Sequence, residues 1–159
     1  MEQPGYEQRG YLREDFRLFH LSASMTETVG WHYHAFHKLC VYLGGDAIRY
    51  GASTAAEDER DLSNVALDID KFEAFTRGFL GVDKDALTEA EIDSLAGGAL
   101  AMTVECGVRF LTDYLDGDKY FSVDYETHNL VRARCQLALA KDMLAHFDEM
   151  KEIVKKYAE

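Results

Sequence analysis

The chain has 159 residues, 17 of them basic and 29 acidic, for a formal charge of −12, and 47% of it is hydrophobic. That length predicts one domain of ordinary size with enough apolar material for a core, and the single proline fits a helical chain. The acidic balance argues against a nucleic-acid backbone or an anionic membrane surface as a partner.

The first residues, MEQPGYEQRGYLRED, carry no apolar core of a signal peptide. Residues 16–21 (FRLFHL) are rich in large apolar side chains and predict a short strand. A second strand is predicted at 39–43, closed by Gly44 and Gly45. Between them WHYHAFHKL holds a histidine cluster. His32 and His34 project to the same side of an extended chain, with His37 near, and imidazoles so spaced suit Zn, Ni or Fe if a further ligand is supplied. The plainer reading is a polar rim that meets water or a small ligand.

From Gly45 the character changes, and no stretch approaches the roughly 18 continuous apolar residues of a membrane helix. The acidic run 57–61 reads as a solvated loop. Asp68 is placed to cap a helix whose Ile69, Phe72, Phe75 and Phe79 share a face. Thr88 and Glu91 form a capping box, with Leu87 and Ile92 where a hydrophobic staple sits. The helix that follows is expected to be interrupted at Gly97 and Gly98. Beyond that point Leu100, Val104, Leu111 and Leu115 predict one face, widened by Ala99, Thr103, Cys106, Phe110 and Tyr114. Gly107 costs about 1 kcal/mol against alanine inside a helix, which predicts close approach of another backbone there. Asp116, Gly117 and Asp118 end this helix. A long final helix is predicted from about Asn129 to Tyr157, with Met143, Phe147, Met150, Val154 and Tyr157 as its core stripe. The three cysteines (Cys40, Cys106 and Cys135) are far apart and form no CxxC, which predicts reduced thiols and a cytoplasmic chain.

Two resemblances organise these elements. FRLFHL, WHYHAFHKL and VYLGG resemble the opening strands of the cupin sensor domain of AraC-type transcription regulators, whose barrel senses a small molecule, often a sugar. Lys38 stands where the metal-binding cupins have glutamate, and it repels a cation. No metal is therefore assigned, and His32, His34 and His37 remain the candidates should one bind. Residues 45–159 resemble the C-terminal helical lobe of N-acetylhexosamine 1-kinases, members of the aminoglycoside phosphotransferase superfamily. The matching stretches are GDAIRYGASTAAEDE, DKFEAFTRGFL, LTEAEID, ECGVRFLTDYLDGDKYF and HNLVRARCQL. The family uses ATP and Mg²⁺ to phosphorylate the anomeric hydroxyl of N-acetylglucosamine or N-acetylgalactosamine. The resemblance makes Arg109 and Tyr120 sugar contacts, and Asp46 and Arg49 a brace for a catalytic loop. Without it, Arg109 reads as the ion-pair partner of Asp113, one helical turn on.

The expected architecture is mainly α: a truncated cupin-like segment, 1–44, containing short strands, joined without a linker to a helical lobe, 45–159. Phosphoryl transfer needs a nucleotide cradle with a lysine, metal ligands and a residue orienting the acceptor. No GxxxxGK[ST] and no HGDxxxxN-like loop occurs in these 159 residues. The expected function is sugar binding by a lobe that is catalytically incomplete alone, with no cofactor of its own. The alternatives are a cupin-type sensor fragment and a helical interaction module that self-associates through exposed apolar faces.

Overall fold

A computed structural model describes residues 45–159. The described residues belong to one compact unit. The strands expected at 16–21 and 39–43, the cupin-like segment 1–44 with Cys40, and the histidines His32, His34 and His37 lie outside the described residues.

The described part is mainly α. In chain order it forms α1 (Gly45–Gly51), α2 (Ile69–Asp83), α3 (Glu89–Leu115), α4 (His128–Ala145) and α5 (Phe147–Ala158), with 3₁₀ turns at Leu62–Asn64 and Lys84–Ala86. Among the described residues there is no strand, only an isolated antiparallel bridge between Ser53 and Leu67. Helix α3 is the centre: α1, α4 and α5 pack on it, and α2 packs on α5.

Helix α3 starts as the capping box requires. The Glu91 amide donates to the Thr88 hydroxyl at 3.3 Å, and the Thr88 amide donates to the Glu91 carboxylate at 2.7 Å. Leu87 and Ile92 both pack on the main core, as a staple should. Two expectations for this helix are corrected. It runs unbroken through Gly97 and Gly98, because Ala96, Gly98 and Ala99 are buried and the packing offsets the poor propensity of glycine. Its buried face is centred on the flanking row of the expected stripe, and of the leucine and valine row only Leu100 and Leu111 pack at its edges. Ala99, Met102, Thr103, Cys106, Gly107 and Phe110 face inward, whereas Val104 is 39% exposed and Leu115 74%. Small side chains face α4 because they let the two helices approach. A Cβ added at Gly107 would stand 3.2 Å from the Cβ of Gln136 and 3.4 Å from Leu137, so the close approach predicted there is to α4 side chains.

Asp68 caps α2 as expected, accepting from the Lys71 amide at 3.1 Å, and Phe72 behind it is buried. The single long C-terminal helix is corrected to two. His146 breaks it, with φ −101° and ψ 13°, and its ring Nδ1 lies 3.0 Å from the Asp142 carbonyl. The break lets α5 turn onto α2, where Lys156 and the Tyr157 hydroxyl meet Glu73 at 2.6 and 2.8 Å. The stripe survives it: Met143, Met150 and Val154 are buried, and Phe147 and Tyr157 pack beside them. These residues join Ile48, Leu67, Phe72, Leu80, Ala99 and Leu139 in one core, and each large apolar side chain buried there contributes about 1.5–3 kcal/mol.

Candidate functional site

The end of α3 builds a rigid corner. Gly117 has φ +85° and Asp118 φ +55°, and the chain reverses through two backbone bonds. The Gly117 amide donates to the Tyr114 carbonyl at 3.2 Å, and the Asp118 amide to the Asp113 carbonyl at 2.8 Å. The side chain of Asp113 then gathers the segment that follows. Its carboxylate accepts from the amides of Lys119, Tyr120 and Phe121 at 2.9, 2.8 and 2.9 Å, and from the Asn129 side-chain amide at 2.9 Å. Burial pushes the Asp113 carboxyl up, but these donors more than offset it and hold it below the usual carboxylate range. Asn129 is fully buried and also donates to Asp118 at 2.9 Å. Arg132 closes the corner from α4, donating to the Ser122 carbonyl at 2.9 Å and to Asn129 at 3.2 Å.

This corner brings Arg109 and Tyr120 together. The Arg109 guanidinium donates to the Tyr120 hydroxyl at 3.4 Å and lies 5.5 Å from its ring centre and 5.3 Å from that of Phe121. Tyr120 is 74% exposed, while Phe121 packs inward on Phe110 with ring centres 4.6 Å apart. The result is a solvent-facing fork of donors beside an aromatic ring on a fixed backbone, an arrangement suited to a polar ligand with an apolar face. The expected Arg109–Asp113 ion pair is not formed. Arg109 meets Glu105, one turn back, at 3.7 Å, because Asp113 is turned inward by the four donors it serves. The pairing rule offers both neighbours, and only the non-local turn decides between them.

A second polar cluster lies along α4 beneath the 56–60 loop. Arg49 is 5% exposed and donates to Glu57 at 2.7 Å and Gln136 at 3.4 Å, with its guanidinium 4.0 Å from the Tyr50 ring. Arg49 therefore braces the acidic run against α4, so Glu57 is not simply a solvated loop residue. The side chain of Asp46, its partner in the expected brace, lies outside the described residues. Sequence reasoning did not single out the neighbouring Tyr125, His128 and Arg132. The Tyr125 hydroxyl, His128 Nε2 and Arg132 Nε are buried without a hydrogen-bond partner. His128 Nδ1 accepts from the Asp124 amide at 3.1 Å, and Nε2 stops 3.5 Å from Asp58. Among the described residues, no group of three or more His, Cys, Asp or Glu side chains is arranged to hold a metal ion. Cys106 and Cys135 are buried free thiols, and burial pushes Cys106 up to about 11.

By length and composition α3 alone, among the described helices, could cross a membrane; here it is the core helix on which α1, α4 and α5 pack. No protein-family model matches this chain.

Proposed function

We propose that residues 45–159 act as the sugar-binding helical lobe of an N-acetylhexosamine 1-kinase-like protein, and that this chain binds the hexosamine without phosphorylating it. The observation that carries the reading is the Arg109–Tyr120 pair, held at 3.4 Å on a corner that the buried Asp113 fixes. A pyranose with an N-acetyl group offers hydroxyls and a carbonyl to the guanidinium and an apolar ring face to the tyrosine. The backbone of the corner is fixed by its own hydrogen bonds, so little backbone ordering opposes binding. The absence of a Walker-type loop and of an HGDxxxxN-like loop from the sequence supports the second half of the proposal. The chain acts in the cytoplasm on this reading.

Isothermal titration of the full chain with N-acetylglucosamine and with N-acetylgalactosamine tests it. Saturable binding of one of them, lost in Tyr120→Ala, is the expected result. Failure of both sugars to bind would remove the sugar reading. Sugar-dependent consumption of Mg-ATP, lost in Arg109→Ala, would overturn the claim that the chain is catalytically incomplete.

A further inference from the structure

An open groove of about 550 Å³ runs between the Leu62–Asn64 turn and one face of α4, and its lining includes none of the residues of the Arg109–Tyr120 corner. Its floor is apolar, formed by Leu62, Val65, Leu137 and Ala138, and Arg134 and Lys141 stand on its wall. Leu62 is 39% exposed and Leu137 42%, so the floor is wetted over much of its area. Leu144, one turn beyond Lys141, is 62% exposed.

The charges give the groove its character. The chain carries −12, yet both charged cations at this site are exposed and, among the described residues, neither forms an ion pair. Asp142, the one carboxylate among the lining residues, accepts from the Leu67 amide at 2.7 Å and lies 3.7 Å from the His146 Nδ1, and it leaves the two cations in excess. Arg134 and Lys141 are seven residues apart on one helix, which separates them by about 10 Å, or two turns. An apolar floor flanked by two unpaired cations at that spacing complements an amphipathic segment with carboxylates two turns apart and apolar side chains between them.

We propose that this groove docks an acidic amphipathic helix from a different protein chain, with its apolar stripe on Leu62 and Leu137 and its carboxylates on Arg134 and Lys141. The groove is shallow and open, which suits a helix laid along it better than an enclosed small molecule.

The test is fluorescence anisotropy with the full chain and a labelled synthetic helix carrying leucines at i, i+3 and i+7 and two glutamates two turns apart. Saturable binding that weakens with salt, and falls about tenfold or more in Arg134→Glu/Lys141→Glu, is expected. The same peptide with lysines in place of its glutamates should bind the double variant better than the unaltered chain. Both substituted positions are exposed, and an unchanged far-ultraviolet circular dichroism spectrum controls for folding. No binding, or binding indifferent to the charge swap, would overturn the proposal. Concentration-dependent self-association abolished by Leu137→Glu would also overturn it, by making a second copy of the chain the occupant. So would binding of phosphatidylserine vesicles that is lost in the double variant.

Discussion

Two glycines in α3 should respond differently to the same substitution. Alanine at Gly97 meets nothing within 4 Å, so it gains helix propensity at no steric cost, about 1 kcal/mol. A cooperative domain of this size shifts by about 4 °C per kcal/mol, so Gly97→Ala should raise Tm by about 4 °C. At Gly107 the new Cβ meets the Gln136 Cβ at 3.2 Å, inside the 3.5–4.0 Å optimum for two carbons. That atom is fixed to the α4 backbone, and Gln136 is tied to Arg49, so it does not swing aside as a flexible tip would. Leu137, half exposed, can move. Alanine there should come out near neutral, the propensity gain offset by the strain. Valine adds two methyl groups to the same gap, and overpacking of about 1–3 kcal/mol then dominates. Gly107→Val should lower Tm by about 4–12 °C. Thermal unfolding followed by circular dichroism at the helical band measures all three variants. A destabilised Gly97→Ala, or a Gly107→Val as stable as the parent, would refute the packing of α3 on α4 described above.

Asp113→Ala leaves three backbone N–H groups without their acceptor, so hydrogen exchange at Lys119, Tyr120 and Phe121 should quicken on the order of tenfold or more while the middle of α4 keeps its protection. Equal protection in the variant would mean that the corner is held by something else. Acid should destabilise the fold. Asp68 is held below the usual range by Lys71, and Glu73 by Lys156 and Tyr157. At Asp113 the backbone donors prevail over burial to the same effect. A carboxylate depressed on folding contributes its full stabilisation above its unfolded pKa, about 4, and loses it as pH falls through the folded value. Tm should therefore hold from pH 7 to about 5 and drop below about 4; a Tm that rises on acidification would contradict these partners. Cys106 and Cys135 should resist alkylation at pH 8 in the folded chain and react on unfolding, as read by mass-mapped iodoacetamide labelling. Rapid labelling of either in the native state would contradict its burial.

Local chemistry made part of this fold legible. The Thr88–Glu91 box, the Asp68 cap and the Gly117 stop each depend on residues within a few positions of one another, and all three stand where the sequence puts them. What went astray depends on a neighbour. Periodicity put Leu100, Val104, Leu111 and Leu115 at the centre of the α3 stripe and Ala99, Thr103, Cys106 and Phe110 beside it, and only the approach of α4 makes the second row the buried centre. The break at His146 is invisible to periodicity, because Met143, Phe147, Met150 and Val154 keep their phase across it. At the candidate site the kinase resemblance alone pointed to Arg109 and Tyr120, and nothing pointed to the residue that unites them. Asp113 read as a surface ion-pair partner, since its real partners lie in the following turn and on α4. Tyr125, His128 and Arg132 carry no local signature, and their shared face shows only once α4 and the 56–60 loop are in place.

The most direct measurement is the shift in thermal unfolding caused by N-acetylglucosamine or N-acetylgalactosamine, made in parallel on the parent chain and on Arg109→Ala. A ligand that binds only the folded state at about 100 times its Kd stabilises it by about 2.7 kcal/mol, or about 10 °C here. Arg109 is half exposed and bears little of the core, so its loss should leave the unliganded transition within about 2 °C of the parent. The expected result is a rise in Tm with one of the two sugars in the parent and none in Arg109→Ala. No rise in the parent, or an equal rise in both proteins, would contradict the assignment of the Arg109–Tyr120 corner as the hexosamine site.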